Sequence, residues 1–278
     1  MKYLKLLRVK HYIKNLLVFL PLFFNGSILN IPILLTSILG FFAFSFISSS
    51  IYILNDICDI ENDKKHPVKK SRPLASGAVS LKTANILFVF CTLSAILISM
   101  SIGKLPATLL LLLYFFLNIA YSKGLKNQPI IDVVILSSGF VLRVYYGGLI
   151  SNIEISKWLF LVIVTGSLFM GLGKRRNEIE KNTDTRDVLK KYNYTFLNNN
   201  MYLCVALTDV FYALWTMDMG NPKMSITIPL FIIILMRYSY NLECNSTGDP
   251  VEVILHDFVL IGIVTITILL MFLFIYIN

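Results

Sequence analysis

Charged residues are scarce in this sequence. Asp, Glu, Lys and Arg make up 15% of the 278 residues, whereas about a quarter is usual in a soluble domain. Hydrophobic residues make up 56% of the chain, and the mean hydropathy is +0.72. The composition therefore argues against a soluble globular protein.

Cysteine pairs and internal repeats are also missing. The four cysteines show no CxxC spacing, so we expect reduced thiols and neither a disulfide framework nor a zinc site. There is no internal repeat and no linker that would divide the chain. We therefore expect a single domain over residues 1–278.

What the sequence has instead is long apolar runs. Residues 32–54 and 260–277 are long enough to cross a bilayer, which takes about 20 helical residues. They lack the alternation of a barrel strand, and backbone groups in lipid must be satisfied internally. The runs predict an all-α polytopic membrane protein with nine transmembrane helices, near 14–29, 32–55, 83–102, 105–121, 130–150, 157–173, 196–217, 223–241 and 256–277.

The first of these nine spans is short and is interrupted by Pro21 and Asn25. The basic residues that precede this span could belong to a signal peptide. No small-residue cleavage site follows and eight further spans do, so we expect the segment to be retained.

Lysine and arginine are distributed unevenly between the two sides that nine spans define. One side carries 21 of them and the other only Lys104, Lys157 and Lys223, with Arg143 left inside a span. By the positive-inside rule the basic side faces the cytoplasm. We expect a plasma or inner membrane location with the N-terminus cytoplasmic and the C-terminus extracytoplasmic.

One charged stretch, residues 52–77, stands at the cytoplasmic end of the second span. If the helix continues past Leu54, Asp56, Asp59 and Asp63 fall on one face, with Asn55 beside them. Like charges on one face repel, so we expect positive charge against them. Mg²⁺ suits such a site, because it binds carboxylate oxygens and is commonly shared with substrate phosphates. A solvated loop is the alternative.

Basic residues follow the aspartates directly. Lys69, Lys70 and Arg72 lie on a short segment rich in turn residues, and Lys and Arg are the usual counter-ions of a metal-bound diphosphate. Topology alone would explain their charge but not the order of acids before bases. For Lys64 and Lys65 we favour the topological explanation.

Two further cytoplasmic stretches carry candidate substrate-binding residues. The stretch 121–132 contains Tyr121, Lys126 and Asp132, and the stretch 171–180 contains Lys174, Arg175 and Glu178. Lys174 and Arg175 could instead anchor the sixth span at the lipid headgroups.

Placing the charged side chain of Arg143 inside a membrane costs free energy, so we expect it to face the bundle interior. We treat Arg143 as a functional candidate. It follows Asp132 by 11 residues, on nearly the same helix face, so both could line one cavity. A structural bridge from Arg143 to Asp209 is the alternative. For Asp209 and Asn118 we expect hydrogen bonds between helices.

These residues resemble a known family. Asn55, Asp56, Asp59 and Asp63 match the "NDxxDxxxD" signature of the UbiA superfamily of membrane prenyltransferases. The stretches "YSKGLKNQPIIDVVILSSGFVLRVYYGG", "GKRRNEI", "TRDVLKKY" and "GDPVEVILHD" resemble one branch of it, the polyprenyl-phosphate phosphoribosyltransferases. The resemblance covers most of the chain and implies a nine-helix bundle with cytoplasmic active-site loops.

The chain departs from the wider family at one place. Prenyltransferases of this fold carry a second aspartate-rich motif after the sixth span, whereas this chain is basic there, "GKRRNEI", with only Asp184 and Asp187 further on. The resemblance therefore implies 5-phosphoribosyl 1-diphosphate as donor and a polyprenyl phosphate as acceptor. Mg²⁺ would be held by Asp56 with Asp59 or Asp63, and Lys70 and Arg72 would take part in catalysis.

Other interpretations stay open. A prenyltransferase that joins a prenyl diphosphate to an aromatic or other small acceptor shares the fold and the first motif. A transporter would show charges at mid-bilayer and repeated halves, which this sequence lacks. The expected partners are the two substrates and the bilayer, with no nucleic acid. The sequence leaves open whether the protein is a monomer or a homo-oligomer.

Overall fold

The computed structural model describes residues 2–65, 69–180, 187–244 and 250–277, and within these ranges the chain is helical and contains no β-strand. The first six α-helices are α1 (Lys2–Leu6), α2 (Leu20–Phe24), α3 (Ile31–Cys58), α4 (Ile60–Lys65), α5 (Leu81–Ser101) and α6 (Leu105–Lys123). The others are α7 (Ile131–Ser151), α8 (Lys157–Glu180), α9 (Tyr194–Asp218), α10 (Thr227–Cys244), α11 (Pro250–Leu255) and α12 (Phe258–Tyr276). The predicted all-α class is confirmed.

Long helices coincide with eight of the nine predicted spans. Seven segments in the described part of the chain are long and apolar enough to cross a membrane, and they contain α3, α5, α6, α7, α8, α10 and α12. Helix α9 has 25 residues but is not among them, since it carries Asn198, Asn199, Asn200 and Asp209. The first predicted span is a 3-10 segment, Val9–Phe19, followed by the short α2. The count of nine membrane-crossing helices is therefore not confirmed.

The chain forms two compact units. The first contains residues 1–125 and 142–154, and the second contains residues 126–141 and 155–278. Helix α7 contributes its beginning to the second unit and its end to the first. The expectation of a single domain over residues 1–278 depends on how the units relate and stays a prediction.

The core of the first unit forms where α3, α6 and the end of α7 pack together. Phe44, Tyr114 and Tyr146 are buried there, and the rings of Phe44 and Tyr114 lie 4.7 Å apart between centroids. Gly147 allows a close approach, because a Cβ atom at this position would lie 2.1 Å from the carbonyl oxygen of Val18. The 3-10 segment therefore packs directly on the backbone of α7.

The 3-10 segment runs antiparallel to α3, and its geometry keeps the two in register. Tyr12 shares a hydrogen bond of 2.8 Å with Ser49, and Asn15 donates one of 2.9 Å to Ser45. Three 3-10 residues advance about 6 Å, and four α-helical residues also advance about 6 Å. Two polar side chains three residues apart in the segment therefore meet two serines four residues apart in α3.

The predicted helix past Leu54 is interrupted at one residue. Helix α3 ends at Cys58, Asp59 forms its C-cap, and α4 begins at Ile60. Hydrogen bonds from the Asp59 amide to the Asn55 carbonyl and from the Asp63 amide to the Asp59 carbonyl, 3.0 and 2.8 Å long, keep the backbone close to a helical path. The acidic side chains of α3 and α4 can therefore still approach one another.

The second unit has its own core around α8, α9, α10 and α12. Phe169, Met201, Leu242 and Leu260 are buried in it. Asp257 caps α12 by accepting hydrogen bonds from the amides of Val259 and Leu260. Arg237 donates to the same carboxylate at 2.6 Å, and this hydrogen bond holds the pKa of Asp257 below its usual value.

The helices leave large apolar side chains on their outer faces. Phe90 and Leu97 of α5 are 59% and 65% exposed, and Leu269 of α12 is 62% exposed. Soluble monomers rarely expose continuous apolar surface of this kind. Together with the seven membrane-length segments, these faces define a multi-pass membrane protein.

Candidate active site

The acidic stretch at the end of α3 is built around the carboxylate of Asp56, which is 2% exposed. Arg8, from the N-terminal segment, donates from Nη2 to Asp56 Oδ1 at 2.5 Å. Arg72, from the loop after α4, donates from Nη1 to the same oxygen at 3.4 Å. A single buried carboxylate oxygen thus receives two guanidinium groups.

Asp63 joins the same cluster from α4. Its Oδ2 atom accepts a hydrogen bond of 2.7 Å from Arg72 Nη1, so one nitrogen atom contacts the carboxylates of both Asp56 and Asp63. The expectation that positive charge lies against the aspartates is confirmed. We call Arg8, Asp56, Asp63 and Arg72 the aspartate–arginine cluster.

Of the three predicted metal ligands, the structure brings Asp56 and Asp63 into one cluster. No group of three or more His, Cys, Asp and Glu side chains in the described part of the chain is arranged to hold a metal ion. Asp59 is the C-cap of α3 and is half-buried. The donor set nevertheless fits a hard divalent ion, since two carboxylates already converge on one cationic nitrogen atom. The metal role of Asp56, Asp59 and Asp63 stays a prediction.

The first unit also contains other residues that the sequence predicts for the site. Asn55 accepts a hydrogen bond from the hydroxyl of Ser122 at the end of α6, which ties α6 to the start of the signature. Lys69 and Tyr121 are half-buried, and Lys70 is exposed. Their substrate-binding and catalytic roles stay predictions.

The second unit contains a different charged cluster. Arg175 on α8 donates from Nε to Asp132 Oδ2 at 2.6 Å and from Nη1 to Glu178 Oε2 at 2.5 Å. The side chains of Arg175 and Asp132 are 0% exposed, and that of Glu178 is 7% exposed. We call these three residues, together with Tyr192, the buried arginine cluster.

Tyr192 completes this cluster. Its hydroxyl donates to Asp132 Oδ1 at 2.5 Å and accepts a hydrogen bond of 2.6 Å from the Ile130 amide. Burial, followed by the hydrogen bond to Asp132, raises the pKa of Tyr192 above its usual value. The phenol therefore remains protonated and continues to donate to Asp132.

The predicted phosphate-binding role of Arg175 has to be weighed against this environment. Its guanidinium is enclosed between two carboxylates, so a phosphate could reach it only after those ion pairs had separated. Lys126 and Lys174 are half-buried and lie outside these two ion pairs. The roles of all three cations in substrate binding stay predictions.

Arg143 is buried within the first unit, as expected for a cation inside a membrane span. It is 4% exposed and donates to Asn15 Oδ1 at 2.8 Å and to the Tyr114 hydroxyl at 3.1 Å. Its guanidinium lies 4.9 Å from the centroid of the Phe44 ring, a distance typical of a cation–π interaction. Neutral acceptors and aromatic faces thus contact this charge, and its substrate-binding role stays a prediction.

The expectation of hydrogen bonds between helices for Asn118 and Asp209 finds little support. Asn118 donates to the carbonyl of Tyr114 in its own helix at 2.8 Å. The Oδ1 atom of Asp209 is buried without a hydrogen-bond partner among the described residues.

Sequence reasoning missed Arg8 and Tyr192 as members of the two clusters. Arg8 was counted only as one of the basic residues that set the topology. Tyr192 lies in "TRDVLKKY", which indicated the family but gave no role to the phenol. Neither residue lies near its partner in the sequence, since Arg8 is 48 positions from Asp56 and Tyr192 is 60 from Asp132.

Apolar helices with a carboxylate-rich polar site at the end of one of them are typical of a class of membrane-embedded enzymes. The family model of the UbiA prenyltransferase family matches residues 16–256. The chain belongs to this family, and the resemblance inferred from the "NDxxDxxxD" signature is confirmed.

Relatives that match 92% of the chain share one name. The chain is 33% identical over 270 residues to decaprenyl-phosphate phosphoribosyltransferase of Corynebacterium glutamicum, covering 92% of this chain and 81% of the relative. It is 30% identical over 271 residues to the protein of the same name from Mycobacterium tuberculosis, covering 92% and 88%. These relatives are transferases by name.

Solved structures share the fold at lower sequence identity. A UbiA homolog from Archaeoglobus fulgidus bound to DMAPP and Mg²⁺ superposes with a TM-score of 0.76 at 20% identity, covering 99% of each chain. An apo UbiA homolog from Aeropyrum pernix superposes with a TM-score of 0.66 at 15% identity, covering 93% of this chain and 98% of the other. At these identities the likeness concerns the fold alone.

Proposed function

We propose that the protein is an integral-membrane transferase that moves the 5-phosphoribosyl group from 5-phosphoribosyl 1-diphosphate to a polyprenyl phosphate and releases diphosphate. The observation that carries the proposal is the aspartate–arginine cluster, in which two carboxylates and two guanidiniums meet at the end of an apolar helix. The named relatives, which match 92% of the chain, support this donor and acceptor rather than a prenyl diphosphate. The product would be a polyprenyl-phosphoryl 5-phosphoribose, a precursor of cell-envelope pentose.

Asp56 and Asp63, with Asp59 at the cap of α3, are the residues that would hold Mg²⁺. When bound, Mg²⁺ neutralises charge on the diphosphate as it leaves the anomeric carbon. The structurally related protein from Archaeoglobus fulgidus was solved with Mg²⁺, which supports a divalent ion in this fold.

The arginines of the cluster supply charge where the leaving group develops it. Arg8 and Arg72 are 23% and 29% exposed, so their guanidiniums can reach an incoming anion as well as the aspartates. A guanidinium suits diphosphate because it offers a planar pair of donors. Lys69 and Lys70 precede Arg72 in the same loop and add further positive charge.

The acceptor requires little activation. A polyprenyl phosphate is already an anionic nucleophile, so the chain needs no Ser, Cys or His nucleophile. Its main contribution is to hold a lipid phosphate and a water-soluble diphosphate together at the membrane surface, which removes the entropic cost of their encounter. The apolar helices would hold the polyprenyl tail.

We also propose that the N-terminus and the loop after α3 lie on the cytoplasmic side. Arg8 and Asp56 are in contact, which supports placing both segments at the same end of α3, and lysine and arginine concentrate there. Cysteine labelling from each side of the membrane tests this orientation. Labelling of position 70 from outside the cell would contradict it.

The function is tested with the purified protein, labelled 5-phosphoribosyl 1-diphosphate and a polyprenyl phosphate. We expect Mg²⁺-dependent transfer of the label into the organic phase, loss of transfer in EDTA, and recovery when Mg²⁺ is added back. Geranyl diphosphate with an aromatic acceptor serves as the competing reaction. Turnover of geranyl diphosphate without turnover of the phosphoribosyl donor would contradict the proposal and favour an ordinary prenyltransferase.

A further inference from the structure

We infer that the guanidinium of Arg8 occupies the position of the divalent ion in the aspartate–arginine cluster until the donor arrives. Binding of the divalent ion therefore depends on the diphosphate. The inference rests on the proposed function and adds to it a residue of the N-terminal segment that couples ion binding to donor binding. Its basis is that two guanidiniums already share the carboxylate oxygen of Asp56, at 2.5 and 3.4 Å.

Charge balance gives the physical reason. Asp56 and Asp63 contribute two negative charges, and Arg8 and Arg72 contribute two positive charges, so the four side chains are neutral together. A divalent ion held there alone would lie beside two guanidiniums, and like charges at such distances repel strongly. A diphosphate that arrives with the ion supplies the missing negative charge and gives both guanidiniums new acceptors.

Exposure shows which groups can exchange partners. Asp56 is 2% exposed and cannot turn towards solvent, whereas the side chains of Arg8 and Arg72 are 23% and 29% exposed. The carboxylates are therefore the fixed part of the cluster, and the guanidiniums are the groups that can move from carboxylate to phosphate oxygen.

The backbone around Arg8 is anchored on both sides, so only the side chain has to move. Leu6 is 0% exposed, and Tyr12 is held by its hydrogen bond to Ser49. Arg8 itself has a left-handed backbone, with φ 51° and ψ 45°, which is uncommon for a residue other than glycine. The centroid of the Tyr52 ring lies 4.8 Å from the Arg8 guanidinium, and the Arg8 side chain can move along the face of this ring.

The test uses Arg8→Gln and measures two affinities by calorimetry. With Mg²⁺ alone, we expect the variant to bind the ion about tenfold more tightly than the wild type, because a repelling charge has been removed. With Mg²⁺ saturating, we expect inorganic diphosphate and 5-phosphoribosyl 1-diphosphate to bind about tenfold more weakly, because a phosphate ligand has been lost. A merely structural role would not move the two affinities in opposite directions.

Two further variants control for charge and folding. Arg8→Lys keeps the positive charge, and we expect its Mg²⁺ affinity to stay close to that of the wild type. Lys64→Gln removes one positive charge from α4, next to Asp63 in the sequence, but Lys64 pairs with the exposed Glu61 at 2.7 Å, so we expect neither affinity to change.

The outcomes separate this inference from the proposed function. An unchanged or weakened Mg²⁺ affinity in Arg8→Gln, or no Mg²⁺ binding in either protein, would overturn the inference. If both shifts occur with Mg²⁺ and inorganic diphosphate while 5-phosphoribosyl 1-diphosphate binds neither protein, the role of Arg8 stands and the proposed donor fails.

Discussion

Two arginines in this protein each bridge two carboxylates, but in very different surroundings. Arg72 lies between Asp56 and Asp63 with 29% of its side chain exposed. Arg175 lies between Asp132 and Glu178 with none of its side chain exposed. A guanidinium that is partly exposed can exchange its partner for a ligand or solvent, whereas breaking a fully buried pair strands an uncompensated charge. The same residue types therefore suit ligand exchange in one unit and structural support in the other.

The local sequence accounts for this difference. Arg72 stands in a loop beside Pro73, after the short α4 and a 3-10 turn, so solvent reaches one side of it. Arg175 stands inside the continuous α8, and Glu178 one turn later closes one side of its guanidinium. Asp132, from the first turn of α7, closes the other. The buried arginine cluster thus joins α7 and α8 within the second unit.

The largest expected effect comes from removing the buried arginine. Arg175→Ala should destabilise the protein by about 3–5 kcal/mol, because Asp132 and Glu178 lose their shared cation in a buried site. Arg72→Ala is the comparison variant and should cost less, about 1–3 kcal/mol, because its guanidinium is partly exposed and the buried Asp56 keeps its ion pair with Arg8. Thermal unfolding in detergent compares the two variants. Equal losses of stability in the two variants would contradict the distinction between the partly exposed cluster and the buried one.

The next effect is on activity and concerns the other cluster. Asp56→Asn should lower kcat about 10²–10³-fold, comparable to losing a key electrostatic donor in an active site. The change keeps the shape of the side chain, so we expect melting close to that of the wild type. Transfer of labelled ribosyl phosphate into lipid measures the rate. A folded variant with near-normal rates would show that the aspartate–arginine cluster is not the active site.

A smaller effect is expected for the phenol of the buried arginine cluster. Tyr192→Phe removes the hydroxyl that donates to Asp132 and should destabilise the protein by about 1–3 kcal/mol, since Asp132 loses one of its donors. Because folding raises the pKa of Tyr192, its contribution is complete below the unfolded-state pKa of about 10. It is lost as the pH rises above that value.

Melting of wild type and Tyr192→Phe across pH 8–11 checks both parts of this prediction. The stability difference between the two proteins should narrow towards the alkaline end. A constant difference over this range would mean that Tyr192 does not act through the protonated phenol.

Much of the site can be read from local patterns in the chain. The acidic signature, the basic residues after it and the apolar runs identify the family and the end of α3 at which the site lies. The prediction of a continuous helix past Leu54 was wrong at one residue, Asp59, which caps the end of α3. Where a helix ends depends on how the next element packs, here α4. The first span was predicted as a short helix interrupted by Pro21 and Asn25. It is instead a 3-10 segment that matches the spacing of serines on α3.

The sequence by itself determined that the protein is helical, that it belongs in a membrane, and where its carboxylates concentrate, because hydrophobic length and charge spacing act over a few turns of one helix. Only the tertiary structure decided which charges meet. Arg8 reaches Asp56 across 48 positions, and Arg175 reaches Asp132 across 43. Burial also arises only from packing, and it separates a guanidinium that can exchange its partner from one that is locked in place. That difference underlies the different roles proposed for Arg8 and Arg175, which sequence patterns alone do not separate.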